Sequence, residues 1–230
     1  EQNERLGLPC GGRITVLVER FDDSGLAWAQ QVIDALQARR SVMRTFHLQR
    51  NLSSIETADG VATTDFDGEV LRHFFGARQR MLLIGAGQLA VAIAELAQAL
   101  DFEVLVTDPR RQMLDQWEGP EVALLGGMPD DVIHDLGVDA KTAIITLSHD
   151  PRIDDMALME ALAGEAWYVG ALGSQKTTEK RLQRLRQLEL SEAQIARLHA
   201  PVGLPIGSKT PVEIAVAVMA ELIKVRYHSR

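Results

Sequence analysis

From Arg80 onward, apolar runs of strand length alternate with segments whose apolar residues follow helical spacing. This alternation is typical of β-α-β units, whose consecutive strands lie parallel in one sheet. Five runs are apolar enough to be strands covered on both faces: residues 81–85, 103–107, 121–125, 142–147 and 167–172. Helices are predicted between and after them, at residues 88–100, 110–117, 130–136, 153–163 and 177–188. The chain should therefore contain an α/β, doubly wound parallel sheet.

Two more helices have recognisable first turns near the end of the chain. Ser191 and Gln194 have the spacing of a capping box, in which each side chain bonds the other residue's backbone N–H. Thr210 and Glu213 repeat the spacing, with Pro211 at the favoured first helical position. Both pairs are structural signals, and they predict helices that begin directly after Ser191 and Thr210.

The first part of the chain is less regular. Residues 13–19 alternate like a strand, 26–39 read as an amphipathic helix, and 41–48 read as a second strand. We therefore expect a small α+β domain at residues 1–78, incomplete at its start, followed by a Rossmann-like domain at residues 79–230. The polar stretch 56–68, with its glycines and aspartates, is the best candidate for a linker.

Composition excludes several classes of protein. With 46% hydrophobic residues the chain is not of a disordered type, and charge interrupts its apolar runs before a membrane span is reached. Acidic residues outnumber basic ones, giving a net charge of −8 without a basic block, which argues against nucleic acid as a partner. A single cysteine, Cys10, excludes an internal disulfide and favours the reducing cytoplasm. Because the first residues contain neither a start Met nor a signal pattern, we expect the chain to begin inside a longer protein.

A glycine-rich turn follows the first predicted parallel strand. Gly85 would form the tight turn, Gly87 would let a phosphate approach the helix start, and Ala90 would allow close packing of helix on strand. Asp108 ends the next strand, where a carboxylate can accept hydrogen bonds from ribose hydroxyls. The pattern predicts a nucleotide-like site, against the alternative that the glycines serve only the turn. Arg110 and its neighbour Arg111 would contact a phosphate. The alternative is that both lie in solvent at the start of the next helix.

Polar residues also follow the fourth and fifth predicted parallel strands. Ser148 and His149 lie at the sheet edge where open α/β sheets bind ligands, and His149 is a candidate proton carrier or hydrogen-bond donor. The acids that follow would hold a cation or serve as the cap and first-turn acids of the next helix, and we favour the second interpretation: Asp150, Asp154 and Asp155. Ser174 should cap a helix start that receives an anion, with Lys176 beside it. Lys176 and Lys180 are both helix-face cations, for which simple solvation is the alternative.

The loop at residues 203–211 has two glycines and a capping Thr, so it is an ordered loop that can close over a ligand and bring Lys209 to a phosphate. A solvated turn lysine is the alternative.

Cys10 lies in Leu-Pro-Cys-Gly-Gly before the first strand, where the glycines leave its thiol little covered. A small core residue is the alternative for Cys10.

Several of these segments together resemble the XdhC/CoxI family of xanthine dehydrogenase accessory proteins. They are residues 8–12, 84–88, 107–110, 147–150, 168–174 and 199–211, the last followed by Glu-Ile-Ala-Val. The resemblance covers residues 81–224. It differs at Gln88, where family members often carry His, and at the start, where the family's N-terminal domain extends further upstream.

The resemblance implies a maturation factor that binds molybdenum cofactor, supports its sulfuration with a cysteine desulfurase, and delivers it to a xanthine dehydrogenase-type molybdoenzyme. It also implies a homodimer and a role for Cys10 near molybdenum or its sulfur. The residues expected to bind cofactor are Cys10, Gly85, Gly87, Gln88, Asp108, Arg110, Ser148, His149, Ser174, Lys176 and Lys209.

Two other functions use the same site. An NAD(P)-binding oxidoreductase would need a set of proton-transfer groups, and the sequence contains no Tyr-x-x-x-Lys pair to provide it. A nucleotide-sensing module would bind a ligand without turnover and without a molybdoenzyme partner. The maturation factor is the favoured interpretation, with no catalytic residues assigned.

Overall fold

The computed structural model describes residues 16–19, 23–58, 64–188 and 190–228. The chain divides into two compact units, residues 1–77 and 78–230. Cys10 lies outside the described residues, as do residues 13–15 of the strand expected at the start. Residues 16–19 of that expected strand are described and are not in a strand, so the expectation is wrong for this part.

The first unit consists of one helix and an antiparallel sheet of four strands. Its elements are α1 (Asp23–Gln37), β1 (Val42–His47), β2 (Leu52–Thr57), β3 (Asp65–Phe66) and β4 (Val70–Phe75), with strand order β2-β1-β4-β3. Val32 and Ala35 of α1 are buried against Val42 of β1. The expected helix and second strand are present. The stretch 56–68 is no free linker, because its ends contribute residues to β2 and β3.

The second unit contains a parallel sheet of six strands. Its elements are β5 (Arg80–Ile84), α2 (Gln88–Ala99), β6 (Glu103–Thr107), α3 (Arg111–Asp115), β7 (Ala123–Leu125), α4 (Pro129–Leu136), β8 (Thr142–Thr146), α5 (Pro151–Ala163), β9 (Tyr168–Ala171), α6 (Gln175–Gln187), α7 (Glu192–Ile195), β10 (Leu198–His199) and α8 (Pro211–His228). All five predicted strands and the helices between them are present. The sixth strand, β10, was not predicted, because two residues are too short to show a period.

The sheet carries a separate apolar core on each face. Met81 and Leu83 of β5 face a core shared with α2 and α8, whereas Leu82 and Ile84 face a core shared with α5. The strand order is β10-β9-β8-β5-β6-β7, so the chain leaves β5 toward one edge and returns to β8 on its other side. In open sheets of this Rossmann type, ligands bind in the crevice at the carboxyl ends of the strands, where the order reverses. A ligand site is therefore expected at the loops after β5 and β8.

Candidate functional site

A cavity of about 390 Å³ opens at the reversal of strand order, between the loops after β5 and β8. We call it the switch-point cavity. It is lined by Gly85, Gly87, Gln88, Leu89, Ala90, Arg110, Met113, Leu147, Ser148, His149, Leu172, Lys209, Pro211 and Ile214. The volume is within the range of small-molecule sites, and the lining combines apolar walls with a few polar groups, as such sites do.

Gly85 is required by the turn that closes this cavity. Its φ of +108° disfavours any residue with a Cβ, and a Cβ built there would lie 2.9 Å from the backbone nitrogen of Ser148. Its own N–H donates to the carbonyl of Thr107 over 2.8 Å. The loops after β5, β6 and β8 therefore meet at one point that only glycine fits.

Gly87 differs from Gly85 in both respects. Its backbone is extended, with φ −90° and ψ −178°, and a Cβ built on it would meet no atom within 4 Å. Gly87 is the N-cap of α2, yet no side chain caps this helix, and its first turn contains no acidic residue. Helix starts of this kind present free N–H groups and a partial positive charge to an anion. The start of α2 is therefore uncapped, and the space beside Gly87 is open.

Asp108 does not face this cavity as an open acceptor. Its side chain is fully buried, and its two carboxylate oxygens accept hydrogen bonds from the Ala86 N–H at 3.1 Å and from the Arg110 backbone and guanidinium at 2.8–2.9 Å. Burial by itself would raise the pKa of Asp108, but these hydrogen bonds hold it below its usual value. A ribose contact at Asp108 would require Arg110 to move away. In this structure the carboxylate instead joins the loops after β5 and β6 through its hydrogen bonds to Ala86 and Arg110.

The loop after β8 places two polar side chains at the cavity. Ser148 is buried and its hydroxyl bonds the backbone of Asp150, donating to the carbonyl at 3.1 Å and accepting from the N–H at 3.2 Å. His149 is exposed and lines the cavity. Asp150 caps α5 by accepting from the Arg152 N–H at 2.9 Å, which confirms the capping prediction for this acid.

A second cavity, of about 570 Å³, lies between α5 and α6. We call it the α5–α6 cavity. It is lined by Ser148, His149, Pro151, Asp154, Leu172, Gly173, Ser174, Lys176, Thr177, Lys180, Arg181 and Arg184. Ser174 caps α6, as predicted, by accepting from the Thr177 N–H at 3.1 Å. Because Ser148, His149 and Leu172 line both cavities, the two are neighbours across one wall.

Asp154 lies in the first turn of α5, as predicted, but Asp154 and Asp155 also form ion pairs with arginines of α6, which the sequence did not predict. Asp154 accepts from Arg181 Nη2 at 2.9 Å, and both side chains are almost wholly buried. Asp155 pairs with Arg184. Burial raises the pKa of Asp154 to about 6, although Arg181 opposes the shift. Sequence reasoning missed these pairs, since their members lie far apart in the chain and helical spacing does not reveal partners on another helix.

The loop before α8 is tied down at both ends. At its start, Glu221 accepts hydrogen bonds from the Tyr168 hydroxyl at 2.9 Å and from the Gly203 N–H at 2.6 Å. At its end, the Glu213 carboxylate accepts from the N–H groups of Lys209 and Thr210 at 2.8 and 2.9 Å, and the Glu213 N–H bonds the Thr210 hydroxyl. The predicted capping box is confirmed, and so is the one at Ser191. This ordered loop brings Lys209 to the switch-point cavity.

The structure thus groups most of the residues predicted from the sequence. The switch-point cavity contains Gly85, Gly87, Gln88, Arg110, Ser148, His149 and Lys209, and the α5–α6 cavity contains Ser174 and Lys176. Asp108 lies buried behind the turn, and Cys10 lies outside the described residues. Sequence reasoning missed the apolar walls formed by Met113, Leu172 and Ile214, whose hydrophobicity gives no sign that they face a cavity.

The described residues contain no group of three or more His, Cys, Asp or Glu side chains that would hold a metal ion. None of the helices in the described ranges is both long and apolar enough to cross a bilayer.

Residues 81–222 match the family model of the XdhC Rossmann domain. The chain is 34% identical over 206 residues to the uncharacterized protein YqeB of Escherichia coli K12, covering 86% of this chain and 36% of YqeB. It is 27% identical over 221 residues to the molybdenum cofactor insertion chaperone PaoD of the same organism, covering 96% of this chain and 62% of PaoD. The chain thus spans only part of these relatives.

Two further proteins from bacilli are similar. A probable xanthine dehydrogenase subunit from Bacillus subtilis is 26% identical over 243 residues, covering 96% of this chain and 72% of that protein. A crystal structure described as a xanthine dehydrogenase from Bacillus halodurans superimposes with a TM-score of 0.70 at 22% identity, covering 91% of this chain and 66% of that one. The second likeness supports the fold.

Proposed function

Because this chain belongs to the XdhC family, we propose that it binds molybdenum cofactor and delivers it to a xanthine dehydrogenase-type molybdoenzyme as a cytoplasmic maturation factor. The observation that carries the proposal is the uncapped start of α2 beside Gly87, which opens into a cavity lined by Lys209 and by Arg110, whose guanidinium is paired with Asp108. The name of PaoD, a molybdenum cofactor insertion chaperone, supports the same ligand. Within the proposal the chain holds and passes on a cofactor, and it performs no reaction on a small substrate.

The residues of the switch-point cavity fit the parts of a phosphorylated pterin. The free N–H groups at the start of α2 would receive the phosphate, with Lys209 adding positive charge and the Asp108-paired Arg110 lying beside them. Apolar side chains such as Met113 and Ile214 would cover the flat ring, and the Gln88 amide and the His149 imidazole would bond its polar edge. When bound, the cofactor supplies the molybdenum centre that the recipient enzyme uses.

Sulfuration is the finer part of the proposal. We assign Cys10, which lies outside the described residues, a contact with the molybdenum or its sulfur while a cysteine desulfurase acts as partner. A thiol ligand at that point would hold the cofactor through the exchange of its terminal group.

We therefore expect a Cys10→Ala chain to bind the cofactor's pterin and phosphate but to mature less active molybdoenzyme, because only the contact at the metal is lost. The test is the activity of recipient apoenzyme reconstituted with cofactor-loaded chain, with cofactor retention measured separately. Normal maturation by the variant would remove this role of Cys10.

The main experiment measures equilibrium binding of molybdenum cofactor and of NAD(H), side by side and without oxygen. We expect the chain to bind the cofactor selectively. A Gly87→Val chain should bind it at least about tenfold more weakly, since the new side chain occupies the space through which the phosphate approaches. The fold should tolerate the change, because a Cβ at Gly87 meets nothing within 4 Å.

A Gly126→Val chain is the matched control. A Cβ at Gly126 has only one neighbour, a Leu114 methyl at 4.0 Å, and Gly126 does not line the switch-point cavity. It should bind the cofactor as the unchanged chain does. Undiminished binding by Gly87→Val would place the phosphate elsewhere, and selective binding of NAD(H) would favour the alternative of an NAD(P)-binding oxidoreductase or sensor. The occupied carboxylate of Asp108 weighs against that alternative, because four hydrogen bonds from the chain already fill it.

A further inference from the structure

The position of Lys209 at the switch-point cavity depends on its backbone. The residue is exposed, and in the described part of the chain its ammonium group has neither an ion-pair nor a hydrogen-bond partner. Its backbone is bonded, because the Lys209 N–H donates to the Glu213 carboxylate. Where the ammonium group lies therefore follows from where the backbone of the loop lies.

Three consecutive N–H groups bond the start of this loop to its surroundings. Val202 donates to the last residue of β9 over 3.0 Å, and Leu204 donates to a carbonyl in the middle of α8 over 3.1 Å. Between them, the Gly203 N–H donates to the Glu221 carboxylate over 2.6 Å, the shortest of the three bonds. Glu221 is the acceptor of the three that is a side chain, so a substitution there can weaken the attachment of the loop without changing any backbone atom.

Glu221 is a carboxylate among apolar side chains. Its neighbours on α8, Val218 and Leu222, are buried in the core between this helix and the sheet, and its own side chain is only 17% exposed. Burial by itself would raise the pKa of Glu221, but its hydrogen bonds hold the pKa below the usual value, so the group is charged near neutral pH. Apolar side chains of similar volume often stabilise a core as well as a buried charged group does. Stability alone therefore does not account for a carboxylate at this position.

Two side chains from neighbouring strands fix the orientation of Glu221. Tyr168 of β9 is 1% exposed and donates its hydroxyl, over 2.9 Å, to the same carboxylate oxygen that accepts from Gly203. His199 of β10 lies with its Nδ1 3.4 Å from the other oxygen, and its ring stacks on that of Tyr168 with 4.4 Å between the centroids. Because both oxygens have partners, the carboxylate is held in the one orientation that receives the Gly203 N–H.

The loop has a second fixed point at its end, where the Lys209 N–H bonds Glu213. Among the described residues, the segment 205–208 between the two fixed points makes no hydrogen bond to another element, and its one backbone bond stays inside the loop. Release of the first fixed point would lengthen the segment that can move. Lys209 would then occupy more positions, and fewer of them would lie at the cavity.

We propose that Glu221, oriented by Tyr168 and His199, is a positioning residue that keeps Lys209 at the switch-point cavity and so raises the affinity for the ligand without touching it. Glu221 and its two partners do not line the cavity. The inference rests on the proposed function for the identity of the ligand. The placement of the loop is measurable in the free chain, so the two can fail separately.

The first test measures amide hydrogen exchange in the ligand-free chain by NMR. We expect Glu221→Ala to speed exchange within residues 203–210 about tenfold, because the start of the loop is released, and to leave the amides of β5 and β8 unchanged. Glu221→Gln should exchange nearly as slowly as the unchanged chain, since its side-chain oxygen can still accept from Gly203 and Tyr168. Unchanged exchange in the loop of Glu221→Ala would overturn the inference.

A Glu160→Gln chain is the matched control for charge. It removes one negative charge from α5, which packs on the face of the sheet opposite to α8. Exchange within residues 203–210 should stay as it is in the unchanged chain. Faster loop exchange in this control would trace the effect of Glu221→Ala to net charge and would overturn the positioning role.

The second test compares affinities for molybdenum cofactor in a double-mutant cycle. Glu221→Ala and Lys209→Gln should each bind the cofactor about tenfold more weakly than the unchanged chain does. The double variant should also be about tenfold weaker, because Glu221 acts through Lys209 and has nothing left to position once the lysine is gone. A merely structural role of Glu221 would give independent losses that multiply to about a hundredfold.

The outcomes separate the inference from the proposed function. Losses that multiply in the double variant would overturn the inference, as would normal binding by Glu221→Ala or by Lys209→Gln, and each would leave the proposed function standing. If no chain bound the cofactor while Glu221→Ala still released the loop, the proposed function would be overturned and the positioning of the loop would stand.

Tyr168→Phe replaces Glu221→Ala in both tests if the latter fails to fold. It removes one hydrogen bond to the carboxylate and keeps a ring to stack on His199. We expect the same direction of change in loop exchange and in cofactor affinity, by about threefold. Equal behaviour of Tyr168→Phe and the unchanged chain would then overturn the inference.

Discussion

Replacing Gly85 by alanine should lower the free energy of unfolding of the second unit by about 3 kcal/mol, from strain at positive φ and from overpacking. The added methyl group would lie 2.9 Å from the Ser148 nitrogen and 3.1 Å from the Leu147 carbonyl carbon, and both are backbone atoms that do not yield as a flexible side chain would. The φ of +108° also strains the backbone of any residue with a Cβ, independently of these contacts. The measurement is urea unfolding followed by amide signals of β5 and β8.

The neighbouring glycine provides the matched control for this substitution. Gly87→Ala adds the same methyl group two residues later, where φ is −90° and a Cβ would have no atom within 4 Å. Its free energy of unfolding should change by less than about 1 kcal/mol, because alanine restricts the unfolded chain more than glycine does but is the poorer N-cap residue. If both variants lost stability equally, the close approach of the loops after β5 and β8 would not be the cause.

The parallel sheet was predictable because strands covered on both faces leave a strong signal. β5 and β8 are buried along their whole length, and an apolar run of that length between helical segments is typical of a buried parallel strand. β2 gave no such signal, since its sequence is Leu-Ser-Ser-Ile-Glu-Thr and most of it is exposed. Its pairing with β1 is decided by the antiparallel register of the sheet, which local composition does not encode.

The candidate site was predictable to the extent that it depends on backbone position. Parallel strands end at a common edge, so the residues after β5, β8 and β9 had to lie near one another. Side-chain partners were not predictable in the same way. Asp108 matches the spacing of a ribose-binding acid, yet Arg110, two residues later, turns back and occupies it. The pairing of Asp154 with Arg181 depends on how α5 and α6 pack, which only the folded chain shows.

That buried pair leads to the second large effect. Arg181→Met should lower the free energy of unfolding of the second unit by about 3–5 kcal/mol at pH 8, because it leaves the Asp154 carboxylate buried without its ion-pair partner. It also removes the hydrogen bond to the Leu172 carbonyl, at the wall between the two cavities. Urea unfolding of the variant and the unchanged chain at pH 8, read from the same amide signals, gives the difference.

The pH dependence separates a lost ion pair from lost packing. Burial raises the pKa of Asp154 to about 6 in the folded chain, so its contribution to stability is largest below the pKa of about 4 that it has when unfolded, and falls as pH rises toward 6. Without Arg181, which opposes this shift, the pKa should rise further and the folded variant should take up its proton at higher pH. The difference in free energy of unfolding between the unchanged chain and Arg181→Met should therefore be about 1–2 kcal/mol smaller at pH 5 than at pH 8. The Asp154→Asn/Arg181→Met chain has no carboxyl group at position 154. Its loss in free energy of unfolding, relative to the unchanged chain, should therefore not shrink between pH 8 and pH 5 through this group. If the loss shrank as much as in Arg181→Met, another group would be the cause.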